Sequence, residues 1–92
     1  MSIGKISIRQ VKAARSLLAW SQDDLAQASG VSVPTIARLE AADGVLGGRA
    51  ATASAIRAAL EQAGVIFLDG DGQGPGVRLA RQQPTEQPGA GC

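Results

Sequence analysis

The sequence predicts a mainly helical protein with four helices, followed by a C-terminal β-hairpin. Apolar residues make up 45% of the 92-residue chain and aromatic residues only 2%. The core must therefore consist of aliphatic side chains, which suits closely packed helices in a single small domain. Apolar residues recur at helical spacing in four segments, and the pattern changes after Gly64 to β-branched and alternating residues.

The first two helices are predicted from capping residues that precede apolar periodic runs. Ser7 and Gln10 have the spacing of a capping box, which predicts a helix over residues 8–19. Ser21 is a second candidate N-cap, and it predicts a short helix over residues 22–29.

The third and fourth helices follow from the same reasoning. Gly30 is expected to end the second helix, and Ser32 to cap a third over residues 33–41. Thr52 is the candidate N-cap of a fourth helix over residues 53–63. We therefore expect residues 1–64 to form the helical domain.

Two strand-like segments flank the glycine-rich stretch "DGDGQGPG" at residues 69–76. The alternating Asp and Gly resemble the first half of a calcium loop, but the twelfth position, which should be a glutamate, is Ala80. The stretch also lacks the lysine and the following helix of a phosphate loop. It therefore predicts a turn, so that residues 65–81 form a β-hairpin, and residues 82–92 have the composition of a disordered tail.

The composition excludes several classes of function. The chain has no histidine and its one cysteine is Cys92, so it cannot form an internal disulfide, a Cys/His zinc site or a histidine-dependent catalytic triad. We therefore expect no enzyme activity, no cofactor and no metal. The N-terminus lacks the pattern of a signal peptide and no apolar run is long enough to span a membrane, which predicts a cytoplasmic protein without a membrane partner.

The distribution of charge favours one half of the chain as a nucleic-acid surface. The net charge is only +1, but residues 1–49 hold six basic and four acidic side chains. If nucleic acid binds, this half should therefore bind it.

The most informative segment is "SQDDLAQASGVSVPTIARLEA", residues 21–41. It predicts two short helices joined by a tight turn at Gly30, with the small residue Ala26 where the helices cross. The inward-facing aliphatic residues that would hold this pair to the domain are Leu25, Val31, Ile36 and Leu39. This arrangement is a helix-turn-helix, so the fold class becomes a four-helix helix-turn-helix DNA-binding domain followed by a C-terminal β-hairpin.

The segment resembles the phage-repressor-like (XRE-type) helix-turn-helix family of bacterial transcription regulators. The resemblance extends over residues 8–63, and it implies double-stranded DNA as the partner. It implies a phosphate contact for Gln22, major-groove contacts at the start of the third helix, a base or phosphate contact for Arg38 and a backbone or minor-groove position for Arg49. The implied set is Gln22, Ser32, Val33, Pro34, Thr35, Arg38 and Arg49. It also implies a structural ion pair between Arg15 and Glu40.

We expect a homodimer that binds a palindromic operator, because a single short helix buries too little surface for useful specificity. The apolar run Val65, Ile66, Phe67 and Leu68 is the expected dimer interface. Repression is the expected sign of control, through RNA polymerase or another regulator at a promoter, because so short a chain leaves no room for an effector domain. The alternative is a protein-binding adaptor, an antitoxin-like or anti-activator subunit whose hairpin adds a strand to its partner.

Overall fold

The computed structural model describes residues 5–68 and 75–80, which form four helices and one two-stranded antiparallel sheet. The elements in chain order are α1 (Ile8–Leu18), α2 (Gln22–Ser29), α3 (Val33–Ala41), α4 (Ala50–Gln62), β1 (Val65–Leu68) and β2 (Gly76–Leu79). This confirms the predicted fold class, mainly helical with a C-terminal β-hairpin. Of the predicted turn, residues 69–76, the structure describes only the last two, and Gly76 is already the first residue of β2. Residue 81 of the predicted hairpin and the predicted tail, residues 82–92, lie outside the described residues.

The first three helices begin at the predicted serine caps. At the start of α1, the Ser7 hydroxyl accepts a hydrogen bond from the Gln10 amide at 3.0 Å, and the Gln10 side-chain oxygen accepts one from the Ser7 amide at 2.8 Å. Ser21 and Asp24 form the equivalent reciprocal pair at the start of α2. Each cap satisfies amide groups that have no partner within their own helix, which fixes the helix start.

The C-terminal ends of α1 and α2 both use a left-handed residue. Gly30 ends α2 with φ +79°, as predicted, since glycine pays no Cβ penalty there. Helix α1 ends at Leu18 rather than at residue 19, because Ala19 adopts φ +58° and becomes its C-cap. Among the described residues, Ala19 is the one non-glycine residue with a positive φ, a left-handed conformation that costs energy for a residue with a Cβ atom.

The predicted start of the fourth helix was wrong. Helix α4 begins at Ala50 rather than at residue 53, and its N-cap Arg49 makes no side-chain capping hydrogen bond. Thr52 lies inside the helix. Ala50 and Ala51 explain the difference, because alanine has the highest helix propensity and extends the helix past the polar residue that could have capped it.

One hydrophobic core joins the helices to the hairpin. Its fully buried members come from all four helices: Ile8, Val11, Leu25, Ile36, Ile56 and Leu60. Val65 and Phe67 of β1 belong to the same cluster, and Trp20 packs against it. The helices and the hairpin are therefore stabilised by burial of a shared aliphatic core.

The hairpin is held to α1 by a buried glutamine. Strand β1 pairs with β2 in the register Val65↔Leu79 to Leu68↔Gly76. The Nε2 atom of Gln10 donates to the carbonyl oxygens of Leu68 and Gly76, both at 2.9 Å, at the turn end of the ladder. Gln10 therefore caps α1 with its oxygen and anchors both strands with its nitrogen.

The segment before α1 also holds the connection after α3. The Ile8 amide donates to the Gly44 carbonyl at 2.8 Å, and the Leu46 amide donates to the Ile6 carbonyl at 2.9 Å. Ile6 and Leu46 are both buried beside these bonds. The connection between α3 and α4 is consequently tied to the body of the domain rather than held only at its ends.

Within the described part of the chain, every helix is too short or too polar to span a bilayer.

Candidate nucleic-acid interface

Helices α2 and α3 form a compact pair around a turn at residues 30–32. Leu25 and Ile36 are fully buried, one from each helix, while Val31 and Leu39 are partly buried against the same core. Ala26 is half-buried and also packs against the core, as its expected position at the helix crossing requires. The pair is attached to the domain through its aliphatic side, which leaves the opposite side of α3 open to a partner.

The open side of α3 is small and largely apolar. Pro34, Arg38 and Ala41 are exposed, and Val33 and Ala37 beside them are half-buried. These positions lie on one side of a helix with 3.6 residues per turn, opposite Ile36 and Leu39. Of the expected reading residues, Val33, Pro34 and Arg38 share this accessible face, with Arg38 as its charged member, whereas Thr35 lies outside it towards Leu39.

Ser32 and Thr35 are committed to capping this helix. The Ser32 hydroxyl accepts from the Thr35 amide at 3.4 Å and donates to the Thr35 hydroxyl at 2.9 Å. The Thr35 side chain is half-buried, whereas Ser32 is exposed. Both residues stand at the N-terminal end of α3, where Pro34 has no N–H and the Thr35 amide is already bonded to Ser32.

Arg38 on this face and Arg49 at the N-cap of α4 have no acidic partner among the described residues. Both residues are exposed, and neither side chain makes an ion pair or hydrogen bond with any residue in 5–68 or 75–80. Arg9 differs, because its guanidinium is paired with Asp43 through two bonds of 3.1 Å. An exposed cation without an acidic neighbour is suited to neutralise a phosphate.

The structure brings Arg15 and Glu40 together in a bidentate ion pair. The Arg15 guanidinium donates to the two carboxylate oxygens of Glu40 at 2.9 and 2.7 Å, and a third bond reaches the Trp20 carbonyl at 2.9 Å. The Glu40 side chain is 5% exposed and that of Arg15 19%. Burial raises the pKa of Glu40, but the hydrogen bonds from Arg15 and Gln22 outweigh this and hold it below its ordinary value. The pair ties the last turn of α3 to α1.

Gln22 belongs to the same network. Its Nε2 donates to the Glu40 carboxylate at 3.0 Å, and Lys12 reaches the Glu40 carbonyl at 3.3 Å from α1. The Gln22 amide keeps one N–H and its carbonyl oxygen for another partner, so a phosphate contact would share the side chain with Glu40. Sequence reasoning did not find this link, because residues 22 and 40 are brought together only by the packing of α2 against α3.

The start of α2 is acidic. Asp23 and Asp24 lie exposed in its first turn, where carboxylates stabilise the positive end of the helix dipole. The Asp24 carboxylate also accepts from the Ser21 amide at 2.9 Å. These charges strengthen the helix and oppose the approach of a phosphate to its N-terminus.

The expected dimer residues are divided between two faces of β1. Val65 and Phe67 point inward and are buried in the chain's own core. The structure therefore corrects the expectation that all four residues form a dimer interface, because these two are not available to a partner. Alternation along a strand is the physical reason, since successive side chains point to opposite faces. Ile66 is 42% exposed and Leu68 half-buried on the outer face. Any surface that β1 offers to a partner is therefore made by Ile66 and Leu68.

The fold and this face together define a helix-turn-helix protein. The comparison with protein families agrees: residues 11–51 match the model of a family described as "Helix-turn-helix". The match covers the part of the chain from within α1 to the start of α4. Residues 11–51 therefore form a helix-turn-helix of the XRE type, which supports a DNA-binding transcription regulator in general. No curated protein matches the chain.

Proposed function

We propose that the protein is a sequence-specific transcription regulator that binds a palindromic operator as a homodimer and represses transcription. The observation that carries the proposal is the open side of α3, an accessible face that carries Arg38, whose side chain has no partner among the described residues. In this proposal α3 enters the major groove, and the bound dimer sterically blocks RNA polymerase from the promoter.

Each residue of the expected DNA-binding set has a proposed role. Val33, Pro34 and Thr35 lie against base edges at the N-terminal end of α3, with Ser32 supplying the cap. Arg38 reaches a base edge or a phosphate, and Arg49 neutralises the backbone beside α4. Gln22 donates its remaining N–H to a phosphate while Glu40 holds the other.

The test of DNA contact compares two exposed arginines. Arg38→Ala should weaken specific binding by about 1–3 kcal/mol without unfolding the domain. Arg9→Ala is the control, because Arg9 is an exposed arginine of α1 that lies outside the expected reading set and outside the hairpin, with its guanidinium paired to Asp43. Gel shifts on DNA from upstream of the protein's own gene, with salt titrations, measure both. If Arg38→Ala binds as tightly as wild type, Arg38 does not read the operator.

Dimerisation is proposed to use the outer face of β1. Ile66 stands opposite Arg78 in the hairpin ladder, and a two-fold axis beside Ile66 and Leu68 would cover this apolar surface. The same symmetry would place two copies of α3 on one side, and successive major grooves require them roughly 34 Å apart. Residues 65–81 would then be the assembly element of the helical domain, residues 1–64.

A point substitution tests this assembly better than removal of the hairpin, because removal would also take Val65 and Phe67 out of the core. Ile66→Asp should shift the protein to monomer in sedimentation while leaving the far-ultraviolet circular dichroism unchanged. Val45→Asp is the control, since Val45 is 57% exposed and lies on the connection between α3 and α4. A wild-type protein that sediments as a monomer at micromolar concentration and in the DNA complex contradicts the homodimer.

The acidic start of α2 favours a second candidate, a protein-binding adaptor. Asp23 and Asp24 repel a phosphate at the place where the family contact is expected, and Gln22 is already engaged by Glu40. In this alternative the exposed strand face of Ile66 and Leu68 binds another regulator, and DNA binding is weak. A protein that shows no sequence preference for DNA but is retained by a partner through Ile66 would support the adaptor.

A further inference from the structure

The accessible face of α3 presents hydrocarbon to its partner. Val33, Pro34, Ala37 and Ala41 contribute only aliphatic groups, and α3 contains no asparagine or glutamine. The Thr35 hydroxyl is half-buried and already bonded to Ser32. Arg38 is therefore the one side chain of α3 that extends a hydrogen-bond donor from this face.

This composition limits which bases the helix can read. In the major groove an adenine is read by the paired donor and acceptor of Asn or Gln, and a guanine by the donors of Arg or Lys. The only apolar group that the four bases present there is the C5-methyl of thymine. A face with one arginine and several aliphatic groups complements thymine methyls, with at most one guanine or phosphate contact.

We propose that α3 selects its half-site through the C5-methyl groups of thymines, contacted by Val33, Pro34 and Ala37. The inference rests on the proposed sequence-specific binding and names the chemistry that this binding reads. Alanine at positions 37 and 41 leaves little side chain between the helix backbone and the groove floor, so the methyls can be buried against the helix. Arg38 then positions the helix on the DNA and does not select the base at most positions of the half-site.

The experiment removes methyl groups from the DNA and nothing else. A random-sequence duplex pool long enough for two half-sites, roughly 30 base pairs, is selected with the purified full chain. The best duplex is then synthesised with deoxyuridine in place of thymine, one half-site position at a time. Uracil keeps the O4 acceptor and its pairing with adenine and lacks the methyl. We expect affinity to fall about fourfold at each contacted position.

A protein variant assigns the effect to a contact. Ala37→Ser places a hydroxyl against the methyl and should reduce the ratio of thymine to uracil affinity at one position. Ala58→Ser, at an exposed position of α4, is the matched control and should leave every ratio unchanged. Ratios that persist in Ala37→Ser would assign the methyl effect to DNA stiffness and overturn the contact at Ala37.

The failures of the two proposals can be told apart. If selection enriches a sequence and uracil substitution changes nothing at any position, methyl reading is overturned and sequence-specific binding stands. If selection enriches no sequence, sequence-specific binding fails and methyl reading fails with it.

Discussion

The buried ion pair between Arg15 and Glu40 gives the sharpest prediction about stability. Replacing Glu40 with leucine removes a carboxylate that accepts three side-chain hydrogen bonds, two from Arg15 and one from Gln22. The guanidinium of Arg15 then stays in a partly buried site without its counter-charge. Breaking one partner of a buried pair costs about 3–5 kcal/mol. We expect about 3 kcal/mol here, because Arg15 remains 19% exposed and can recover some hydration.

The double variant Arg15→Met/Glu40→Leu separates the cost of an unpaired buried charge from the packing of the two side chains. Replacing both charges with apolar groups removes the unpaired cation, so the double variant should be more stable than Glu40→Leu alone. Urea denaturation at neutral pH, followed by circular dichroism at constant m-value, measures each free energy of unfolding. For a domain of this size, the single substitution corresponds to a decrease in melting temperature of roughly 12–24 °C.

The chain contains a matched control for this measurement. Arg9 and Asp43 form a bidentate pair of similar geometry, with bonds of 3.1 Å, but their side chains are 79% and 65% exposed. Arg9→Met should therefore change stability far less than Glu40→Leu, because solvent screens an exposed pair. The reasoning is refuted if the two substitutions cost the same, or if the double variant loses the sum of its two single losses.

Three further predictions follow from other contacts. Because the pKa of Glu40 is lowered in the folded protein, its carboxylate stabilises the fold above the ordinary carboxylate pKa of about 4.3, and this stabilisation is lost as the pH falls through the lowered pKa. Between neutral pH and pH 3, the free energy of unfolding of Glu40→Gln should therefore fall less than that of the wild type in urea titrations. An equal fall in both proteins would contradict this. Gln10→Met should cost about 1–3 kcal/mol and increase amide exchange of β1 and β2 more than that of α3, whereas uniform exchange would refute an anchoring role. Ala19→Gly should stabilise by about 1 kcal/mol and Gly30→Ala destabilise by about 1–2 kcal/mol, because both positions are left-handed; urea melts that move in the same direction would reject this.

The helices and their order were predictable because their signals are local. Ser7, Ser21 and Ser32 each cap an amide three residues away, and Gly30 satisfies a backbone requirement at its own position. Such short-range interactions can be predicted from the residue types and their spacing in the sequence. The same locality explains the error at α4, where the propensity of Ala50 competed with a cap at Thr52 and prevailed.

The sequence alone determined the helix-turn-helix, its expected reading residues and the exclusion of histidine-dependent chemistry. Tertiary packing decided which of those residues are accessible and which are already engaged. It buried Val65 and Phe67 while leaving Ile66 outside, gave Gln10 a second role across the hairpin, and joined Gln22 to the carboxylate of Glu40. These contacts join residues far apart in the chain, so they depend on the relative placement of whole helices and strands, which no local spacing specifies.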